Sequence, residues 1–219
     1  MLSKQARVFA DSNLIADFLR GNAELGDIYQ LDNEGWIIIT NIFNLMPLLK
    51  RDDYLLKPGS AKDVRFSKET GTSIAFSGTG TSGAIGTAQA EISFSKKNSG
   101  YVSLKKAIYQ NIDLAKMTPV INNLWKTNGY SKKPQRYFFV NQVCTAQSGV
   151  TLFSGEKSNT VKIQSTLNQS LTNAGIIAEG KVEIVANKKE TLEIISDSPH
   201  APLFQAVRMK SNGLWDAMR

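Results

Sequence analysis

The sequence predicts an α+β fold in which amphipathic helices pack around a twisted, mostly antiparallel sheet. After residue 135 nearly every segment alternates apolar and polar residues, the period of a strand, with turn signals between the segments. Apolar residues at helical spacing occur only before that point. The 219 residues, 42% of them apolar, can build a core, and we expect one domain over residues 1–209 and a short tail over 210–219.

The first half contains the expected helices and one buried strand. Asp11 or Ser12 is placed to cap a short helix that ends at Gly21 and carries one apolar face, formed by Leu14, Ile15, Phe18 and Leu19. The β-branched run from Trp36 to Thr40 predicts a buried strand, followed by an irregular apolar segment that contains Pro47.

Two longer amphipathic helices are expected next. The first begins at Ser103 and carries Leu104, Ala107, Ile108, Asn111, Ile112 and Ala115. The second begins at Thr118, has Pro119 in its first turn and ends before Gly129. The second half is predicted to be strand in six segments: YFFVNQVCTAQ, VTLFSG, NTVKIQSTLNQSL, IIAEGKVEIVA, TLEIIS and PLFQAVRM.

Gly78, Gly80 and Gly83 form a literal G-x-G-x-x-G motif, which raises the question whether the chain binds a dinucleotide. That fingerprint needs a helix directly after the last glycine. Here the chain alternates instead, with Ala88, Ala90, Ile92 and Phe94 on one parity. The pattern therefore predicts two strands joined by a Gly/Ser/Thr-rich connection, and no cofactor.

Charge leaves the choice of partner open. The net charge is +7 with several lysine doublets, and the pI is about 9.4. Nucleic acid and acidic lipid are both suitable anionic partners, and an ordinary solvated surface has the same composition.

Few residues are available for catalysis or metal binding. Cys144 is the only cysteine and His200, between two prolines in an expected loop, is the only histidine. The adjacent acids Asp52 and Asp53 are expected in a surface turn. We therefore predict no enzyme, no metal and, in the absence of a leader or a long apolar run, a soluble cytoplasmic protein.

Three uncharged runs with strand alternation stand out, at Thr70–Ala90, Tyr137–Gly155 and Ile163–Ala178. Each is long enough for one membrane β-strand of about 9–11 residues. Half-buried strands of a soluble sheet show the same alternation, so periodicity does not decide between the two environments.

The order of these features resembles the pore-forming domain of gasdermins, most of all the bacterial ones. The resemblance spans about residues 26–209 and is carried by GDIYQL, IIITNIFNLMPLL, SGTGTSGAIGTAQAEISFSKK, SLKKAIYQNIDLAKMTPVINNLW, RYFFVNQVCTAQSGVTLFSG, KVEIVA and PLFQAVRM. It implies a protein that is soluble until triggered, for example by an activating protease. The resemblance further implies that such a protein then binds acidic membrane lipids and oligomerises with copies of itself into a β-barrel pore.

Carried onto this sequence, the resemblance implies two membrane hairpins, at about residues 70–94 and 137–178. The implied lipid-binding residues are Lys96, Lys97, Lys105, Lys106, Lys188 and Lys189. The implied apolar face of the hairpins is Ile74, Phe76, Ala88, Ala90, Ile92, Phe94, Val161, Ile163 and Leu167. An inhibitory tail would use Leu214, Trp215 and Met218.

The chain departs from the bacterial pattern in two ways. The first residues, MLSKQARVFADS, contain no cysteine, so lipidation is not predicted. Only KSNGLWDAMR follows the last expected strand, where the relatives carry an inhibitory peptide. The alternative function is a non-enzymatic soluble module that binds nucleic acid or protein, for which the basic residues near Tyr101, Tyr130, Tyr137 and Phe138 are suited.

Overall fold

The computed structural model describes residues 15–16, 23–31, 36–67, 72–78, 88–96, 99–128, 136–154, 156–165, 182–187, 191–196, 199–209 and 215–217. The predicted α+β fold class is confirmed, because these residues form many antiparallel strands and few helices. The chain divides into two compact units. The first contains Met1–Ser60, Ile108–Thr145 and Leu203–Arg219, and the second contains Ala61–Ala107 and Ala146–Pro202. The domain and tail boundary at residue 209 stays a prediction.

The elements are numbered in chain order. The strands are β1 (Ile15–Ala16), β2 (Asp27–Leu31), β3 (Trp36–Asn41), β4 (Lys62–Ser67), β5 (Thr72–Gly78), β6 (Ala88–Phe94), β7 (Ser99–Asn111), β8 (Tyr137–Ala146), β9 (Ser148–Ser154), β10 (Asn159–Ser165), β11 (Val182–Asn187), β12 (Thr191–Ser196), β13 (His200–Met209) and β14 (Trp215–Ala217). The helices are α1 (Ile42–Leu45), a 3-10 helix (Arg51–Tyr54) and α2 (Leu114–Thr127).

In the first unit, β8 pairs with β2 and with the last residues of β7. Strand β2 pairs in turn with β3, and β13 pairs with β1 and β14. The core of this unit is aromatic, with Trp125 and Phe139 fully buried and the rings of Tyr29 and Phe204 stacked 5.5 Å apart. Aromatic side chains bury the largest areas and so dominate the core energetics.

Helix α2 packs its apolar face into this core. Met117, Ile121, Leu124 and Trp125 recur at helical spacing and are buried. The helix begins at Leu114 and not at Thr118 as predicted, because the Asp113 carboxylate caps it by accepting the N–H groups of Ala115 and Lys116. Pro119 therefore lies inside the helix. The predicted end before Gly129 is confirmed, with Asn128 at the C-cap.

The helix predicted from Ser103 is wrong, because the segment is strand β7. Lys62 pairs with Ala107 but Val64 pairs with Leu104, so β7 has a bulge opposite Asp63. The bulge shifts the strand's alternation by one residue, and both Leu104 and Ala107 are buried. Two buried residues three positions apart imitate the spacing of a helix.

Two other predictions of local structure are corrected. Ile15 and Ala16, expected in a short helix, form β1 and pair with Phe204 and Leu203. The rest of that expected helix lies outside the described residues. His200, expected in a loop, is the first residue of β13. Tertiary strand pairing overrides local propensity in both places.

The predicted strand at Trp36–Thr40 is confirmed as β3, but its predicted burial is wrong, because Ile37 is 49% and Ile39 is 36% exposed. The apolar segment after it is mostly irregular. The six strands expected in the second half correspond to β8 through β13. In the second unit, β7 pairs with β4 and β9, and β9 pairs with β12. The remaining strands of this unit form a separate four-stranded sheet in the order β11–β10–β6–β5.

Candidate functional site: a four-stranded amphipathic sheet

The glycine-rich region forms the hairpin that the alternation predicted. Strands β5 and β6 pair antiparallel from Thr72 opposite Phe94 to Gly78 opposite Ala88. Their connection, residues 79–87, lies outside the described residues. No helix follows the glycines at Ala88, so the nucleotide-binding interpretation of the motif fails on its structural requirement.

A second hairpin, β10–β11, lies beside the first. Strand β10 pairs with β11 on one side and with β6 on the other, from Asn159 opposite Phe94 to Ser165 opposite Ala88. The sheet therefore contains the described parts of two uncharged runs, Thr70–Ala90 and Ile163–Ala178. The third run, Tyr137–Gly155, lies in β8 and β9, which pair with other strands. The second hairpin thus spans residues 159–187 and not 137–178.

Both connections leave the sheet at the same end. Gly78, Ala88, Ser165 and Val182 form the last row of the register, with one residue from each strand. The connections 79–87 and 166–181 begin directly beyond that row. Only Glu179 and Lys181 carry charge in these two connections. The two connections therefore share a nearly uncharged composition.

The register sorts the residues of the sheet onto two faces, since successive strand residues alternate. One face is uncharged, and three of its four rows run across all four strands. Its predicted members are Ile74, Phe76, Ala88, Ala90, Ile92, Phe94, Val161 and Ile163, and β11 adds Val182 and Ile184. Leu167 lies outside the described residues. The two β11 residues were missed, although the alternation of KVEIVA carries the signal.

The opposite face holds the charged residues of the sheet, whereas the polar residues on the first face are neutral: Thr72, Asn159, Ser165 and Asn187. Glu91 and Lys162 are directly opposite each other, and their charged atoms lie 3.3 Å apart. The hydroxyl oxygens of Ser93 and Thr160, in the next row, lie 3.3 Å apart. Cross-strand pairs of these kinds stabilise a sheet by a few tenths of a kcal/mol to about 1 kcal/mol each. Charge is thus confined to one face and partly neutralised there.

The uncharged face is covered by protein where its side chains are described. Ile92, Phe94 and Val161 are fully buried. Each of the outer strands, β5 and β11, has one partner strand among the described residues. An outer strand presents unpaired N–H and C=O groups that can accept another strand.

The predicted lipid-binding lysines do not form one cluster in the described part of the chain. Lys96 is exposed, and the Ser99 hydroxyl donates to its carbonyl oxygen. Lys105 and Lys106 lie at the bulge of β7, about 20 Å from Ser99 at the rise of an extended strand. Lys97, Lys188 and Lys189 lie outside the described residues.

Lys106 has an unusual backbone. Its φ is +48°, in the left-handed region, and its N–H donates to the Asp63 carboxylate at 2.9 Å. Its side chain is exposed, whereas that of Lys105 is half-buried. The two lysines are therefore positioned by a strand bulge. The sequence had predicted instead that they lie in the first turn of a helix.

The tail is partly structured. Strand β14 pairs with β13, with Val207 opposite Ala217 and Met209 opposite Trp215. Leu214 and Met218 lie outside the described residues. Whether this segment inhibits anything stays a prediction.

The aromatic residues named for nucleic-acid stacking are poorly placed for it. Tyr101 is 0% exposed and Phe138 is 4% exposed, so neither ring presents a face to a base. Tyr137 is half-buried and packs edge-on against Trp125, with 6.4 Å between ring centroids. Tyr130 lies outside the described residues.

Cys144 is buried in β8, directly opposite Tyr109 of β7. Burial, with a smaller contribution from the neighbouring thiol, raises the pKa of Tyr109 to about 12. Within the described ranges, no three His, Cys, Asp or Glu residues are grouped to hold a metal ion. None of the described helices combines the length and the apolar character needed to cross a bilayer.

The comparison with solved structures gives a remote likeness. The sequence matches no protein-family model and no curated protein. Among solved structures, the chain is similar to one described as the cryo-EM structure of the Gasdermin A3 membrane pore. The match covers 99% of this chain and 94% of that chain at 10% sequence identity, with a TM-score of 0.29.

Proposed function

We propose that this chain is a membrane pore-forming protein of gasdermin type whose four-stranded sheet, β5, β6, β10 and β11, enters the bilayer. The observation that carries the proposal is the separation of faces in this sheet. Every registered row on one face is uncharged, and the charged residues Glu91, Lys162 and Glu183 all fall on the other. A strand that has lipid on one side and water on the other needs this separation.

Backbone pairing supports the same function. Hydrocarbon offers no hydrogen-bond partners, so membrane strands must have every N–H and C=O group paired. The two hairpins already pair β5 with β6, β6 with β10 and β10 with β11. The outer edges of β5 and β11 would be paired by neighbouring copies of the chain, which makes oligomerisation part of the mechanism.

The length of the sheet is compatible with insertion once the two connections are included. Strands β5, β6 and β10 have 7 residues each, about 23 Å at the rise of an extended strand. A membrane strand needs about 9–11 residues. On insertion, residues of the two connections would supply the missing strand length. Gly80, Gly83 and Gly86 allow the backbone of the first connection a wide range of conformations.

Insertion requires a trigger, because the uncharged face is covered where it is described. Ile92, Phe94 and Val161 would exchange protein neighbours for lipid chains, a transfer between two apolar environments. We propose a cytoplasmic protein that moves to an acidic membrane surface after activation, with a protease as one class of activator. The chain would need neither a cofactor nor catalysis.

A matched pair of substitutions in β6 tests this function. Ala88 belongs to the uncharged face and Gln89 to the polar face, one residue apart in the same strand. Each is changed to glutamate, and release of a trapped dye is measured from vesicles of phosphatidylcholine with and without phosphatidylglycerol. The chains used end at Met209, which removes the proposed inhibitory tail and so supplies the trigger. We expect wild type and Gln89→Glu in this form to release dye from the anionic vesicles.

We expect Ala88→Glu to release little, because a carboxylate on the lipid-facing side of a strand is destabilising. A thermal melt of each variant controls for folding. Equal release by the two variants would contradict the proposed face. If the wild type releases no dye from either kind of vesicle, the result would favour the alternative, a binding module that never inserts.

A further inference from the structure

A second apolar feature lies in the first unit, outside the amphipathic sheet. The segment that joins β3 to β4 presents several aliphatic side chains to solvent. Leu48 is 96% exposed, and Leu45 and Leu56 are 43% and 48% exposed. We call residues 45–57 the Leu48 loop. A leucine that stays almost completely exposed contributes nothing to the core, whereas its burial against an apolar partner would be favourable.

The start of the Leu48 loop is held by backbone and capping bonds. The side-chain oxygen of Asn41 accepts the Phe43 N–H at 3.0 Å, which caps α1. The N–H of Met46 donates to the Ile42 carbonyl, and that of Leu49 to the Met46 carbonyl, both at 2.9 Å. Leu48 therefore lies in a turn with bonded residues on both sides.

The end of the loop is fixed equally well. Leu55 bridges to Ile112, and the Leu56 N–H donates to the Asn111 carbonyl at 2.9 Å. The N–H of Asp113, at the start of α2, donates to the Tyr54 carbonyl at 2.7 Å. The exposure of Leu48 is thus imposed by an anchored backbone.

Basic residues accompany the apolar ones in the same segment of the chain. The exposed cations Lys50, Arg51 and Lys57 belong to the loop, against the exposed carboxylates of Asp52 and Asp53. The ammonium group of Lys116 donates to the Asp53 carbonyl at 3.3 Å and adds another cation. The guanidinium of Arg51 lies 5.9 Å from the centre of the Phe43 ring.

We infer that the Leu48 loop docks the chain on the surface of an anionic lipid bilayer. Leu48 would enter the boundary between headgroups and acyl chains, and the cations would contact lipid phosphates. An exposed apolar side chain with basic residues in the same loop offers two contributions to binding at a membrane surface. They are burial of apolar area and electrostatic attraction to anionic lipid. The inference rests on the proposed function, and it places lipid contact in a different unit from Lys96, Lys105 and Lys106.

Vesicle flotation of the full chain tests the inference separately from pore formation. The probes are phosphatidylcholine vesicles with and without phosphatidylglycerol, and the variant is Leu48→Asn. Loss of one buried leucine is expected to lower the partition onto anionic vesicles about tenfold. Leu48→Phe is expected to retain binding. Ile37→Asn, which removes another exposed aliphatic side chain of the same unit, is the matched control and is expected to bind as wild type.

The outcomes separate the two claims. Binding by wild type, loss in Leu48→Asn and no dye release by any form would support the docking loop and reject the pore. Dye release by wild type with undiminished binding of Leu48→Asn would overturn the docking loop and leave the pore. Equal losses in Leu48→Asn and Ile37→Asn would also overturn the assignment to this loop. A wild-type chain that floats with neither lipid would overturn both claims.

Discussion

Gly149, in the second unit, leaves no room for a Cβ atom. A Cβ atom there would lie 2.5 Å from Leu104 Cδ2 and 2.9 Å from the Ser103 carbonyl oxygen. The position is in β9, directly opposite Leu104 of β7, so a methyl group must displace a core side chain and a strand backbone. We expect Gly149→Ala to lower the free energy of unfolding by about 1–3 kcal/mol, measured by urea denaturation.

The control for this substitution is Gly59→Ala, because an added Cβ there meets nothing within 4 Å. Its effect should stay within about 0.5 kcal/mol. An unchanged unfolding midpoint for Gly149→Ala would show that the two strands are less tightly packed than described.

Tyr109 gives a prediction for alkaline pH. Burial and the Cys144 thiol raise its pKa to about 12, above an unfolded value of about 10. Between these values the unfolded chain has lost the phenolic proton and the folded chain retains it. The stability from this group is therefore complete below pH 10 and is lost as the pH rises toward 12. We expect wild type to lose more stability than Tyr109→Phe over this window in chemical denaturation, and parallel profiles would contradict it.

At the scale of elements, alternation alone located most of the strands. Segments such as AEISF and TVKIQ have the period of two without interruption, and they lie in β6 and β10. The prediction from the sequence failed at β7. One bulge places the buried residues Leu104 and Ala107 three positions apart, which is the spacing of a helix. A bulge depends on its partner strand, here on the Asp63 carboxylate, and is invisible in the local sequence.

The bulge gives a second stability prediction. Lys106 holds a φ of +48°, which costs an L-residue about 1–2 kcal/mol relative to glycine before the entropy of glycine is counted. We expect Lys106→Gly to raise the free energy of unfolding by up to about 1 kcal/mol. Lys106→Val should lower it by a similar amount, because a β-branched residue is a poor fit to this conformation. A valine variant as stable as the glycine variant would contradict the assignment.

At the scale of the whole molecule, the candidate site was only partly predictable. The charge-free runs and the alternation around Ile92 and Val161 identified the uncharged residues. The sequence did not reveal that β10 pairs with β6, nor that β8 belongs elsewhere, because pairing between distant segments is decided by tertiary packing. The Leu48 loop was likewise hidden, since a leucine in a sequence does not reveal its exposure.

The tail supplies a prediction about control. Strand β14 covers the part of β13 that runs from Val207 to Met209. A chain that ends at Met209 loses this pairing and leaves a strand edge open. We expect the shortened chain to release dye from anionic vesicles faster than the full chain. Equal rates, with both forms folded, would remove the tail as an inhibitor.

The central claim is that one face of the β6 strand comes to lie against lipid while the other remains in water. Residues 88–91 are replaced one at a time by cysteine and labelled with an environment-sensitive fluorophore. The native Cys144 is buried and should remain unlabelled in the folded chain. On anionic vesicles, we expect fluorophores at positions 88 and 90 to show the emission typical of an apolar environment. Fluorophores at positions 89 and 91 should show the emission typical of water. Emission that does not alternate on vesicles would contradict the claim, as would emission from positions 88 and 90 that a quencher attached to the lipid chains does not reduce.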